Sequence, residues 1–360
     1  MADFGCLNPD ITFNVLSRLQ TKDLLGLKCV SKGWHRLISD RSFIQAQSQK
    51  KEPLSGFFFQ QRYPDCYETS DDIKTITYIP VERKGLQRNV FAFRRQYVVV
   101  LASCNGLLCC RSCFPFEDPA IYVCNPLNSD WWKLDWKEPD KESFIALAFD
   151  PFQDFSVNST NFKVVRPRKL ETEKGKHTHL KYIPQRQGIG SYQKRFAANG
   201  GVFIGGILHW LTDGGQILTF NAENETALLI SIPLPAGEFN CTRQACIGES
   251  EGRLSYVSVP EGLRVWFLED YYDSTWSLKY SKTLALMETE HPGIMFDLYD
   301  GMMHWLRIDH SPWWDPLAFK DGVLVVRVSS TIYLYHVEAS KMEEVCETSE
   351  LGPISGGEKA

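Results

Sequence analysis

An α+β multidomain chain is predicted: a short three-helix segment over residues 1–48, an all-β, propeller-like domain of five to seven blades over 54–350, and a flexible tail over 351–360. Three observations carry this. A length of 360 residues sets a prior of two to three domains. The period of the apolar residues changes from helical to alternating near residue 50. Beyond that point, glycine-led runs recur at a spacing near 48 residues, within the range of one propeller blade.

Composition narrows the function classes. Hydrophobic residues make up 43% and charged residues 23%, ordinary globular usage that excludes wholesale disorder and fibrous repeats. A net charge of -5 disfavours a protein that binds nucleic acid or a membrane surface through a basic face. The longest apolar runs, such as Val98 to Ala102, are far shorter than the ~20 residues of a spanning helix. The start, Met1-Ala2-Asp3-Phe4, has no basic region followed by an apolar core, so no secretory signal is expected and the cytoplasm or nucleus is the expected location. Eleven scattered cysteines then read as free thiols, and the sequons at Asn158, Asn224 and Asn240 as unglycosylated. The two ends differ: residues 1–50 hold seven Lys or Arg against four Asp or Glu, a net of +3 that leaves -8 for the rest, and nine of the ten Trp follow residue 130.

In the first segment, Ile11, Val15, Leu16 and Leu19 form the stripe of a helix that follows Pro9-Asp10. Thr21 is placed to cap a second helix through Leu24, Leu25, Leu27 and Val30, with Asp23 in its first turn. Ser31 is placed to cap a third that carries Trp34, Leu37 and Ile38, after which Phe43 and Ile44 add a last apolar pair. Three such helices bury too little surface to be comfortable alone, and their leftover apolar face wants a partner.

The ordered pieces Leu7-Asn8-Pro9-Asp10-Ile11, Val15-Leu16-Ser17-Arg18-Leu19, Asp23-Leu24-Leu25, Cys29-Val30-Ser31-Lys32-Gly33-Trp34 and Leu37-Ile38-Ser39-Asp40 resemble an F-box. Two turn positions depart from the family pattern: Asn8 separates Leu7 from Pro9, and Gln20 stands where proline is common. The resemblance implies docking on a Skp-family adapter, and through it on cullin and RING subunits, by Leu7, Pro9, Ile11, Leu16, Leu19, Leu24, Val30, Trp34 and Leu37. The plain alternative is a helical cap that packs on the second domain.

In the second segment, short alternating runs, among them Phe57 and Phe59, Ile121 and Val123, Ile217 and Thr219, Val257 and Val259, and Ile332 and Leu334, are bounded by Gly, Pro, Asn or Asp. Gly206-Ile207-Leu208-His209-Trp210-Leu211 and Gly301-Met302-Met303-His304-Trp305-Leu306 are near copies, Gly106 and Gly252 share the turn-to-strand start, and Gly56 extends the series backwards. Runs such as Ile121 to Asn125 and Ile217 to Asn221 read as the next strand of a meander, and the pair of Gly322 with Ile332 to Tyr335 repeats the arrangement out of step. The runs Ser103 to Cys109, Val123 to Leu127, Gly206 to Trp210, Gly248 to Leu254 and Val265 to Asp270 are similar to the F-box-associated, kelch-like domains of plant F-box proteins.

Candidate chemistry is sparse. Cys109, Cys110 and Cys113, with Cys104 and Cys124, contain a C-x-x-C pair, but no second pair stands at a zinc-site separation, so strand core is the better reading. His209 and His304 sit at equivalent repeat positions and read as strand histidines bonded to neighbouring backbone. Asp150, Asp154 and Glu269-Asp270 are available as acids, bases or cation ligands, though turn chemistry accounts for Asp150-Pro151. A basic stretch from Arg166 to Arg195 reads as a solvated loop. No nucleophile, phosphate or dinucleotide motif occurs, so no enzyme activity, cofactor or metal is expected. Adjacent aromatics in presumed turns, Trp131-Trp132, Tyr271-Tyr272 and Trp313-Trp314, are candidates for a surface that contacts a target protein.

The family resemblance implies a non-catalytic receptor subunit of an SCF-type ubiquitin ligase. The alternative is a propeller that binds a small ligand or glycan, in which Trp131, Trp132 and Asp130 would form the platform.

Overall fold

The computed structural model describes residues 8–19, 21–48, 54–60, 76–81, 87–88, 98–113, 117–126, 130–136, 145–149, 162–165, 201–212, 215–233, 245–259, 262–295 and 314–351. The chain divides into two compact units, Met1–Leu54 with Phe149–Phe162, and Ser55–Ala148 with Lys163–Ala360.

The first unit holds α1 (Pro9–Leu16), α2 (Thr21–Leu27), α3 (Lys32–Ile38) and α4 (Arg41–Ser48). Four helices thus stand where three are predicted. The fourth begins at Asp40, whose Oδ1 accepts from the N–H of Ser42 at 2.9 Å and gives an orphan helical donor its partner. Asn8 does the same for Asp10 at 2.8 Å, and Ser31 for Trp34 at 3.2 Å, as Ser31 is predicted to do. Leu16, Leu24, Ile38 and Phe43 form the core, with Phe13, Leu19, Leu27, Trp34 and Leu37 packed around them. Phe43 from α4 meets Phe13 edge to face at 5.2 Å, which explains why the apolar pair after the third helix folds into a helix of its own.

The second unit is almost entirely antiparallel sheet. β1 (Gly56–Phe59), β2 (Thr77–Pro80) and β3 (Gln87–Arg88) make a three-stranded sheet, followed by a four-stranded meander of β4 (Val98–Cys104), β5 (Leu107–Ser112), β6 (Ala120–Asn125) and β7 (Asp130–Asp135). β8 (Ala146–Phe149) pairs with β9 (Phe162–Val165). A second meander runs through β10 (Val202–Ile204), β11 (Ile207–Leu211), β12 (Gln216–Asn221) and β13 (Thr226–Ser231). Then come β14 (Ala245–Ser250), β15 (Arg253–Ser258), β16 (Gly262–Asp270) and β17 (Thr275–Thr283), the helix α5 (Leu284–Glu290), β18 (Trp314–Lys320), β19 (Val323–Val328), β20 (Thr331–His336), β21 (Lys341–Glu347) and the short α6 (Thr348–Leu351). The two late helices are departures from the all-β expectation; α5 starts where Thr283 Oγ1 accepts from the N–H of Leu286 at 3.3 Å.

The repeat has a physical basis in the first hairpin of each meander. Asn105-Gly106, Gly205-Gly206, Glu251-Gly252 and Asp321-Gly322 all have positive φ at both positions, from 44° at Asn105 to 87° at Gly206, the geometry of two-residue turns that match strand twist. Gly322 thus belongs to this set, and Gly301 lies outside the described residues. Gly56 is not one of this set. It opens β1, and a Cβ there would meet the Ile79 carbonyl oxygen. The runs Ile121 to Asn125, Ile217 to Asn221 and Ile332 to Tyr335 fall on β6, β12 and β20, the third strand of each meander.

Neighbouring sheets share apolar cores. Ile76 and Phe58 meet Val98, Leu108 and Tyr122. Ala146 and Ala148 meet Leu208, Trp210 and Leu218. Ile204, Ile217 and Ile230 meet Leu254, Tyr256, Trp266 and Leu268. Val257, Val265 and Phe267 meet Leu324, Val326 and Tyr335. β14 and β18 also pair in parallel, Gly248 opposite Phe319, so the last two meanders form one eight-stranded sheet. Gly248 is required there: a Cβ would lie 2.0 Å from the Phe319 carbonyl oxygen.

Candidate docking surfaces

The residues expected to meet an adapter separate into three groups. Leu16 and Leu24 are buried, 2% and 3% exposed, and hold α1 and α2 to the other helices. Leu19, Trp34 and Leu37 are half-buried against that same core. Ile11 and Val30 are exposed at 57% and 61%, as is Val15 at 56%. Ile11 and Val15 stand four residues apart on α1, hence on one face of it. Leu7 lies outside the described residues, and Pro9 begins α1. The helical stripe of Ile11, Val15 and Leu16 thus straddles the edge of the core, with one residue turned in and two left in water. Exposed β-branched apolar residues on a unit with so small a core make a surface suited to burial by another chain.

Of the aromatic pairs of the β unit, only Tyr271–Tyr272 is seen in a turn; Trp131, Trp132 and Trp314 lie on strands. Trp131 and Trp132 are on β7, opposite Cys124 and Val123. Trp131 packs inward against Tyr122, ring centroids 6.0 Å apart, so the two tryptophans do not form a common platform with Asp130. Trp314 is the first residue of β18 and wholly buried in the core between β14–β17 and β18–β21, which removes it as a target contact. Trp313 lies outside the described residues. Tyr271 and Tyr272 do occupy a turn, between β16 and β17, and divide sharply: Tyr271 packs into the core shared with β10–β13, while Tyr272 is 91% exposed.

Tyr271 meets His209, one of the two repeat histidines. His209 is fully buried on β11; its Nδ1 lies 3.0 Å from the Val202 carbonyl oxygen and its Nε2 2.9 Å from the Tyr271 hydroxyl. A carbonyl only accepts, so Nδ1 carries the proton, and Nε2 accepts from the Tyr271 O–H. Burial holds the imidazole pKa down at about 4, which keeps the ring neutral as this pattern requires. The expected backbone bond is present; the bond to Tyr271, 62 residues away, was not legible in sequence. His304 lies outside the described residues.

The acids and thiols have structural duties. Asp270 Oδ1 accepts from the N–H groups of Tyr272 and Asp273, at 2.7 and 3.0 Å, as Asn221 does for Glu223 and Asn224 in the matching turn after β12. The Ser277 hydroxyl, then Arg253 and Lys279, hold the Glu269 carboxyl below its usual range. Cys104, Cys109, Cys110 and Cys124 are buried strand residues, and burial pushes the Cys109 thiol up to about 12. Among the described residues no group of three or more His, Cys, Asp or Glu is placed to hold a metal, and no helix is long and apolar enough to cross a membrane. Asp150, Asp154 and the basic stretch Arg166 to Arg195 lie outside the described residues.

Two families match this chain: the F-box domain over residues 4–45, and the β-propeller of F-box protein At3g26010-like proteins over 74–311. The Arabidopsis thaliana F-box protein At5g49610 is 29% identical over 322 residues, 81% of this chain and 83% of that protein. The putative F-box protein At1g20795 of the same plant is 35% identical over 294 residues, 73% of this chain and 65% of that protein. Its F-box/kelch-repeat protein At3g23880 is 23% identical over 293 residues, 71% and 74% respectively. Among solved structures, a chain described as YCF48 bound to D1 peptide covers 84% of this chain and 87% of its own length at 8% identity, with a TM-score of 0.35.

Proposed function

This chain belongs to the plant-type F-box proteins that carry an At3g26010-like β-propeller, and from that premise we propose that it is the substrate-recognition subunit of an SCF-type cullin-RING ubiquitin ligase, acting in the cytoplasm or nucleus. F-box proteins are typically non-catalytic receptors that dock on Skp-family adapters. In this reading the helices hold the adapter, the β unit holds a target protein, and the chemistry is proximity: the target's lysines are kept at high effective concentration near a conjugating enzyme carried by other subunits. Such a chain needs no nucleophile or cofactor of its own. Among the described residues, the four four-stranded meanders and the two smaller sheets support a propeller-like reading of this unit.

The observation that carries the reading is the exposed apolar set Ile11, Val15 and Val30 on the F-box helices. The adapter contact is assigned to these, with Leu19, Trp34 and Leu37 at its half-buried margin, while Leu16 and Leu24 act by holding the helices together. Co-expression with a plant Skp-family adapter tests it. The parent chain is expected to co-purify with the adapter, and a variant carrying Ile11→Asp and Val30→Asp to lose it while remaining folded. Failure of the parent to bring down the adapter, or equal capture by the double variant, would sink the reading.

A further inference from the structure

The chemistry of the target surface can be narrowed from the turns of the β unit. The parallel pairing of β14 with β18 makes β16 and β20 run in the same direction, so the β16–β17 and β20–β21 turns lie at one end of the eight-stranded sheet. These two turns and the β12–β13 turn share one build: four residues, of which the last has positive φ, 57° at Glu225 and 50° at both Ser274 and Ser340. Their first position is turned inward as Ala222, Tyr271 or Val337, and their second stands in water as Glu223, Tyr272 or Glu338. A site that is glutamate in two turns is an almost wholly exposed tyrosine in the third.

A ring left in water gains nothing from folding, yet the turn that carries this one is fixed. Asp270 fixes the N–H of Tyr272 itself. Tyr271 donates to the buried His209. Ser274 Oγ accepts from the N–H of Ser231 at 3.1 Å, and Trp276 Nε1 donates to the Ser231 carbonyl at 2.9 Å, so the neighbouring sheet clamps both flanks of the hairpin. An exposed aromatic on a fixed backbone has only its own side-chain torsions to order when a partner buries it, which suits an interface anchor. The adjacent charges select that partner. Glu269 is matched by Arg253 and Lys279, but Asp270 and Asp273 on the turn, and Glu338 on the turn at the same end of the sheet, have no cationic partner among the described residues.

We propose that Tyr272 anchors a lysine- or arginine-bearing segment of the target protein, its ring stacked on the cation and Asp270 and Asp273 supplying the opposing charge. This rests on the receptor reading and gives its target a chemistry. The test is selection of peptides from a randomised display library on the full chain, with and without adapter. Peptides with Lys or Arg beside an apolar residue are expected to be enriched. Binding of a selected peptide should weaken roughly tenfold in Tyr272→Ala and about threefold in Asp273→Asn, and should fall as salt rises. Enrichment of acidic or purely apolar peptides, no enrichment, or unchanged affinity in Tyr272→Ala would overturn the proposal. Adapter capture, scored in the same preparations, separates the two ideas: its loss strikes the receptor reading, whereas the peptide result on the chain alone still decides the anchor.

Discussion

The helical and β units differ in how much of their apolar surface they can enclose. The F-box helices enclose Leu16, Leu24, Ile38 and Phe43 and leave Ile11, Val15 and Val30 in water. Among its described residues the β unit packs most large apolar side chains into successive inter-sheet cores, leaves Leu228, Leu278 and Leu286 partly in water, and exposes Tyr272 almost fully on a turn pinned from several sides. A short helical segment has too few residues to bury both sides of its helices, so part of its apolar face is left for another chain. The sheets bury most of theirs against one another, and Tyr272, their most exposed large side chain among the described residues, is presented by its turn position. On the proposed reading, adapter docking by the first unit completes its core, and target binding by the second is a matter of presented side chains.

The contrast can be broken most sharply at Leu24. Leu24→Asp places a charge among Phe43, Ile38 and Leu16 and should cost more than about 4 kcal/mol, unfolding the helices and abolishing adapter capture. Val30→Asp should abolish capture while shifting unfolding by less than about 0.5 kcal/mol, as surface changes do. Far-UV dichroism of both variants across a denaturant series reads the difference.

Next in size is an acid effect confined to the β unit. The His209 pKa of about 4 in the folded chain lies below the roughly 6.5 of an exposed histidine, so the unfolded form takes up the proton first. Stability from this residue is full above pH ~6.5 and is lost as pH falls toward 4, by about 3 kcal/mol in all. In His209→Gln that slope should flatten, measured as the unfolding midpoint at pH 7, 6, 5 and 4.5. Gly248→Ala should be smaller, about 2 kcal/mol, because β14 and β18 must part to admit the methyl group beside the Phe319 carbonyl. Smallest are the hairpin glycines. Gly252→Ala, at φ 73° with open space around it, should cost about 1 kcal/mol through backbone strain alone, and thermal unfolding should rank it below Gly248→Ala.

How much of this was legible in sequence depended on whether the signal was local. Turn glycines and the strands after them announce themselves within a dozen residues, so the meanders were readable, and the structure adds Gly322 to the set. The cap at Ser31 follows the same local rule, but α4 needed the distant contact of Phe43 with Phe13 to become a helix, and α5 was not read at all. A helical stripe specifies a face, not what the face meets, and so Leu16 and Leu24 were grouped with Ile11 and Val30 although they do opposite jobs. Adjacent aromatics were equally ambiguous, since Trp131 and Trp314 pack into cores formed by strands far away in the chain. The pairing of His209 with Tyr271 had no local trace at all.

Hydrogen–deuterium exchange of the full chain with and without a Skp-family adapter tests the division of labour most directly. Protection is expected across residues 8–48, with the amides of β4–β7 and β14–β21 unchanged. Protection in those strands, or none in the helices, would contradict it.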